Sequence, residues 1–138
     1  MSFVYLLDTS VWSQPIKDRP VAGVLERWSE VGEESVCTSS ICLAEVLQGL
    51  EERGSSKYWR RYHELLEHRY KIMSFDEASA VEFSRLNIQL RRMGKPKPAM
   101  DLLIASIARR HGLTLATLNY KDFEGIPGLN LEDWLEPT

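Results

Sequence analysis

"FVYLLDTS", residues 3–10, decides the fold. An apolar run from Phe3 to Leu7 stops at a carboxylate, Asp8, and two hydroxyls, Thr9 and Ser10, follow it. A short apolar run of this kind is the mark of a strand covered on both faces, as strands of a parallel sheet are. Similar runs recur along the chain: "SVCTS" from Ser35, "YKIMSF" from Tyr70, "LTLATL" from Leu113 and a short "LNLEDW" near the end. Helical spacing fills the intervals. Val21, Val24, Leu25 and Trp28 mark a helix over 20–31, and Ser39 or Ser40 caps a second that Gly54 ends. Trp59, Tyr62, Leu65 and Leu66 mark a third over 56–69, and Asp76 caps a long fourth to about Met93. "GKPKP", residues 94–98, is a breaker loop, and a last helix over 99–111 is closed by Gly112. The segment 119–122 reads as a polar loop. Strands separated by helices predict an α/β fold with a mainly parallel central sheet of four to five strands.

The 138 residues suit a single domain, 1–138, and can bury a core without disulfides. No apolar run approaches the roughly 20 residues that span a bilayer. The first apolar stretch is short, has no basic residue before it and is broken by Asp8, unlike a secretory leader. The expectation is a cytoplasmic protein with no membrane partner. Cys37 and Cys42 lack zinc-site spacing and read as small buried hydrophobes. The net charge of −3 excludes a globally basic nucleic-acid binder. Its distribution is uneven: Arg85, Arg91, Arg92, Lys95, Lys97, Arg109 and Arg110 surround one acid, Asp101, while acids gather at 30–34, 51–52 and 132–136. A basic surface of this kind suits a phosphate-rich ligand, and equally a solvated helix face.

Ligands of parallel sheets bind beyond the carboxyl ends of the strands. Asp8 closes the first strand there, and Asn119 follows the fourth. Glu45, in "SSICLAEVLQG", lies off the apolar face of Leu43, Ala44, Val46, Leu47 and Leu50, with no basic residue three or four positions away. Asp101 begins a helix beside Ala105 and Ala108, small residues that would let a ligand come close, and Asp122 follows Thr117 and Asn119. Each acid has an ordinary reading as a cap, a dipole partner or a solvated residue. As a set on one rim they repel one another unless a cation or shared protons neutralise them. Oxygen ligands without His or Cys suit Mg²⁺ or Mn²⁺. His63, His68 and His111 are scattered and read as surface or structural residues.

With these blocks in this order, the chain resembles the PIN-domain ribonucleases, most closely the VapC-type toxins of prokaryotic toxin–antitoxin pairs. The resemblance rests on "LLDTSVW", "SSICLAEVLQGL" and "PAMDLLIASIARRHGLTLATLNYKDF", and covers essentially the whole chain. It implies a three-layer α/β/α sandwich. It assigns the first three acids to Asp8, Glu45 and Asp101, and a fourth to Asp122, with Asn119 standing where some relatives carry an acid. Thr9 or Ser10 would orient the first acid, and Thr117 would support the fourth block. It further implies RNA cleavage by water activated at Mg²⁺ or Mn²⁺, a homodimer, and inhibition by a VapB-type antitoxin. Arg91, Arg92, Lys95 and Lys97 would attract the RNA backbone. The competing reading keeps the fold as a non-catalytic RNA- or antitoxin-binding module. A phosphotransfer enzyme using Asp8 as nucleophile would want a second Asp two residues on, where Ser10 stands.

Overall fold

The computed structural model describes residues 2–135; Glu136 of the C-terminal acidic group lies outside them. Five strands, β1 (Tyr5–Leu7), β2 (Val36–Ser39), β3 (Lys71–Met73), β4 (Thr114–Thr117) and β5 (Asn130–Asp133), form one sheet in the order β3-β2-β1-β4-β5. All four pairings are parallel. The side chains alternate as a pleat requires. Leu6, Cys37 and Leu115 enter one core, and Leu7, Val36 and Ala116 the other.

The first core is closed by α5 (Glu77–Arg92) and α6 (Ala99–Arg110), through Leu86, Leu90, Leu102 and Ile107. The second is closed by α1 (Thr9–Trp12), α2 (Ala22–Val31) and α4 (Ser56–Leu65), through Trp12, Val24, Trp28, Tyr58 and Tyr62. The α3 helix (Ser40–Arg53) serves both: Cys42 packs on one side, Val46 and Leu50 on the other. The result is the expected three-layer sandwich, and the five strands among the described residues all run parallel. Both thiols are buried and free; burial pushes Cys37 up to about 12 and raises Cys42 too, which disfavours the reactive thiolate at neutral pH.

Local chemistry sets the element ends. The Ser39 hydroxyl accepts from the Cys42 N–H at 3.1 Å and opens α3; Gly54, at φ 60°, closes it in the left-handed region. Ser39→Ala should therefore cost about 1–2 kcal/mol in a urea titration, because the cap is fully buried. Four expectations need correction. Residues 9–12 and 120–123 are single helical turns, the second of them, α7 (Tyr120–Phe123), replacing the expected polar loop. The helix expected to reach Arg69 ends at Leu65. Ala44 is exposed, because α3 turns Cys42, Val46 and Leu50 inward. Ala105 and Ala108 are fully buried in the first core; their small side chains let α6 approach the sheet. The aromatic and apolar residues of α4, the turn after it and the C-terminal end divide: Tyr58, Tyr62, Leu66 and Trp134 are core, Trp59 is half-buried, and Leu65 and Leu135 are exposed. No helix among the described residues is long and apolar enough to cross a membrane.

Candidate active site

The chain leaves β1 for β2 and β3 on one side, then returns to β4 and β5 on the other. The strand order thus reverses between β1 and β4, and the crevice beyond their carboxyl ends is where such sheets bind ligands. Asp8 follows β1 there, and Thr117 ends β4.

Asp8 is both a cap and a candidate for chemistry. Its carboxylate accepts from the Val11 N–H at 3.3 Å and so caps α1. It also accepts from Ser10 Oγ at 2.5 Å on one oxygen and from Thr117 Oγ1 at 2.6 Å on the other. Each hydroxyl in turn accepts a backbone N–H: Leu118 donates to Ser10 at 3.0 Å, Asn119 to Thr117 at 2.9 Å. The hydroxyl protons are thereby directed at Asp8. Burial nonetheless raises the Asp8 pKa, because the side chain is only 4% exposed and these donors only partly offset its lost hydration.

Glu45, half-buried on α3, accepts from Thr9 Oγ1 at 2.6 Å. The one-turn α1 thus presents Thr9 to Glu45 and Ser10 to Asp8. Asp101 stands in the first turn of α6 and has no hydrogen-bond donor among the described residues. Its pKa is pushed up to about 6, first by burial, then by the charges of Asp122, Glu45 and Asp8; Lys97 opposes them. The other three acids predicted from the sequence therefore all act on Asp101. Asp122 is exposed in α7. Asn119 precedes that turn, and its side chain makes no capping bond.

Of the four cations expected to meet RNA, Lys97 acts electrostatically on Asp101; its ammonium also donates to the Lys121 carbonyl at 3.3 Å. Arg91, Arg92 and Lys95 are exposed around the end of α5, and no described interaction links them to the acidic group. Other cations went unread in the sequence. Lys17, Arg19 and Arg53 line a cleft of about 570 Å³ that shares Thr9 and Glu45 with the acidic group. The signal was present in the spacing of Glu45, Gly49 and Arg53, which places an acid, a glycine and a cation along one helical face. His63, His68 and His111 are all exposed.

The donor set fits a hard divalent cation in its chemistry: four carboxylates, no nitrogen or sulfur ligand, and mutual repulsion with one nearby ammonium. It is not a preformed cage. Among the described residues no three acidic, His or Cys side chains converge as a metal site's ligands do. Asp8 is turned to Ser10 and Thr117, and Glu45 to Thr9.

Fold and site together define a class: parallel α/β domains with a carboxylate group at the sheet's switch point. The chain belongs to the PIN-domain family, whose model matches residues 5–129. It is similar to the tRNA(fMet)-specific endonuclease VapC of Shigella flexneri, with 32% identity over 94% of this chain and 97% of the relative. It is also similar to ribonuclease VapC2 of Haemophilus influenzae, with 32% identity over 95% of this chain and 98% of that one. Among solved structures, the toxin–antitoxin complex VapBC of Salmonella typhimurium, bound to DNA, superposes with a TM-score of 0.82 at 31% identity, covering 96% of this chain and 98% of its counterpart. FitAcB of Neisseria gonorrhoeae superposes at 0.86 with 28% identity, covering 97% and 100%.

Proposed function

We propose that this chain is an RNA-cleaving toxin of a toxin–antitoxin pair, a Mg²⁺- or Mn²⁺-dependent endoribonuclease acting in the cytoplasm. The observation that carries the reading is Asp101, held up at about 6 first by burial and then by the charges of Asp122, Glu45 and Asp8 around it. A carboxylate raised by its neighbours without a donor of its own costs folding stability, and a cation removes that cost. The relatives named as endonuclease and ribonuclease support the reaction class.

Asp8, Glu45, Asp101 and Asp122 would hold the ion. When bound, it lowers the pKa of a coordinated water and stabilises charge on the phosphate. Ser10 and Thr117 fix the direction of Asp8, and Thr9 fixes Glu45. Such supporting bonds govern ligand affinity as much as the ligands do. Lys97 offsets the excess negative charge that would otherwise repel a phosphodiester. Asp122, whose charge acts on Asp101, is a better fourth ligand than Asn119. A transfer RNA is the first substrate to try, on the printed specificity of the Shigella relative. A VapB-type antitoxin is the partner, by likeness to solved VapBC complexes. A homodimer would use the exposed Leu65 and half-buried Trp59 of α4.

The test is a cleavage-site map of total RNA from cells expressing the parent or Asp101→Asn. The reading expects discrete new RNA ends with the parent and none with the variant. Identical maps would reject the site. A parent that produces no new ends would favour a non-catalytic binding module.

A further inference from the structure

The cleft beside the acids holds a feature that the fold does not explain. Gly49 lies in the interior of α3, where glycine is less favourable than alanine. Neither backbone nor packing requires it. It is not among the positive-φ glycines, and a Cβ placed on it would meet nothing within 4 Å. It is exposed and lines the cleft one turn beyond Glu45 and one turn before Arg53. From Glu45 to Arg53 the helix rises about 12 Å.

The far end of the cleft is cationic. Arg53 donates to the Tyr58 hydroxyl at 2.8 Å, and its guanidinium lies 3.9 Å from the Tyr58 ring centroid. The same hydroxyl donates to Asp18 at 2.5 Å, and Asp18 is ion-paired to Arg61 at 2.9 Å and Lys57 at 3.2 Å. The one acid at this end is thus matched by two cations outside the cleft lining, and Arg53 is held in place by a buried tyrosine. Lys17 and Arg19 add two charges whose side chains make no hydrogen bond or ion pair among the described residues.

We propose that this cleft seats the nucleotide next to the scissile phosphodiester, with sugar and base lying on α3 over Gly49 and the outer phosphate against Arg53, Lys17 and Arg19. The inference rests on the nuclease reading above and extends it to a subsite. Glu45 belongs to both the acidic group and the cleft wall. A strand whose phosphodiester reaches the acids therefore has a neighbouring nucleotide at this wall. The cationic rim matches a polyanion. The missing Cβ at Gly49 lets a flat group approach the helix backbone. Arg53 acts by touching the phosphate, and Tyr58 and Asp18 are positioning residues for it.

Gly49→Ala, Gly49→Leu and Arg53→Gln separate this role from a structural one. Alanine improves the helix, so Gly49→Ala should raise the melting temperature by about 3 °C. The same variant should raise KM for cleavage of total RNA at the parent's mapped site. Gly49→Leu should cut kcat/KM by on the order of 30-fold, mainly through KM. Arg53→Gln should raise KM by roughly 5–10-fold and reduce the salt slope of RNA binding by about one. Gly23→Leu, on α2 and outside the cleft, serves as the control for added bulk and should leave the cleavage kinetics at the parental values. Parental kinetics in Gly49→Ala and Gly49→Leu would overturn the proposal. So would a Gly49→Leu enzyme that cleaves normally but escapes its antitoxin, because the cleft would then belong to the antitoxin. If the parent cleaves nothing, the nuclease reading fails separately. Binding of a short labelled single-stranded RNA to the same variants then decides the cleft: weaker binding supports it, unchanged binding rejects it.

Discussion

Asp101→Asn should lose RNA cleavage by at least about 10²–10³-fold, several kcal/mol of transition-state stabilisation, while folding more stably than the parent without metal. The two effects share one cause. Burial and three neighbouring carboxylates push Asp101 from 3.8 to about 6. Between those values the folded chain keeps a proton that the unfolded chain has released. Stability therefore falls as pH rises through that window and stays lowered above it. Asparagine cannot ionise, so the variant's advantage should be absent near about pH 4 and complete by about pH 8. Its size is on the order of 1–2 kcal/mol once solvent screening at a partly exposed site is counted. Melting curves at both pH values in a chelating buffer would measure it. A variant less stable than the parent at the higher pH would show that the acids do not oppose folding.

Thr117→Val should cost both stability and ion affinity while leaving the four acids in place. Valine matches threonine in shape, and the site is fully buried, so packing is preserved. Two hydrogen bonds are lost: the donation to Asp8 at 2.6 Å and the acceptance from the Asn119 N–H at 2.9 Å. A buried carboxylate then keeps only Ser10 and Val11 as donors. The expected loss is about 2–3 kcal/mol in a urea titration, with a further rise in the Asp8 pKa. Divalent-ion affinity should fall by roughly 10–100-fold, as it does when supporting bonds to ligands are removed. Thr117→Ser should restore both quantities. Equal stability of the valine variant and the parent would mean that the hydroxyl does not hold Asp8.

Much of this was legible in sequence because buried parallel strands and capped helices leave strong local marks. Asp8 ends its apolar run, Asp76 caps α5 through the Ser79 N–H, and Gly54 and Gly112 stand at left-handed ends. The single turns of α1 and α7 were not legible, because four residues are too few to show a helical period. That omission hid the most instructive contact of the site. On a helical wheel Glu45 is merely a residue off the apolar face; the turn after β1 supplies the hydroxyl that binds it. The acids could be collected by position, but their coupling could not, since it depends on α6 and α7 meeting at one rim. Charge counting pointed to 91–97 for RNA contacts, and of that group Lys97 alone acts on the acids. The cations of the cleft are split between 17–19 and Arg53, and the fold brings them together.

The central claim is that four carboxylates at the switch point of this sheet form one site for a hard cation. The most direct test is the melting temperature of the purified parent during a Mn²⁺ titration near about pH 8, with Asp101→Asn alongside. A ligand at about 100 times its Kd stabilises by about 2.7 kcal/mol. In a chain of this size the parent should therefore gain roughly 8–10 °C, and the variant little or nothing. A parent whose melting temperature does not move at millimolar Mn²⁺, or a variant that gains as much as the parent, would contradict the claim.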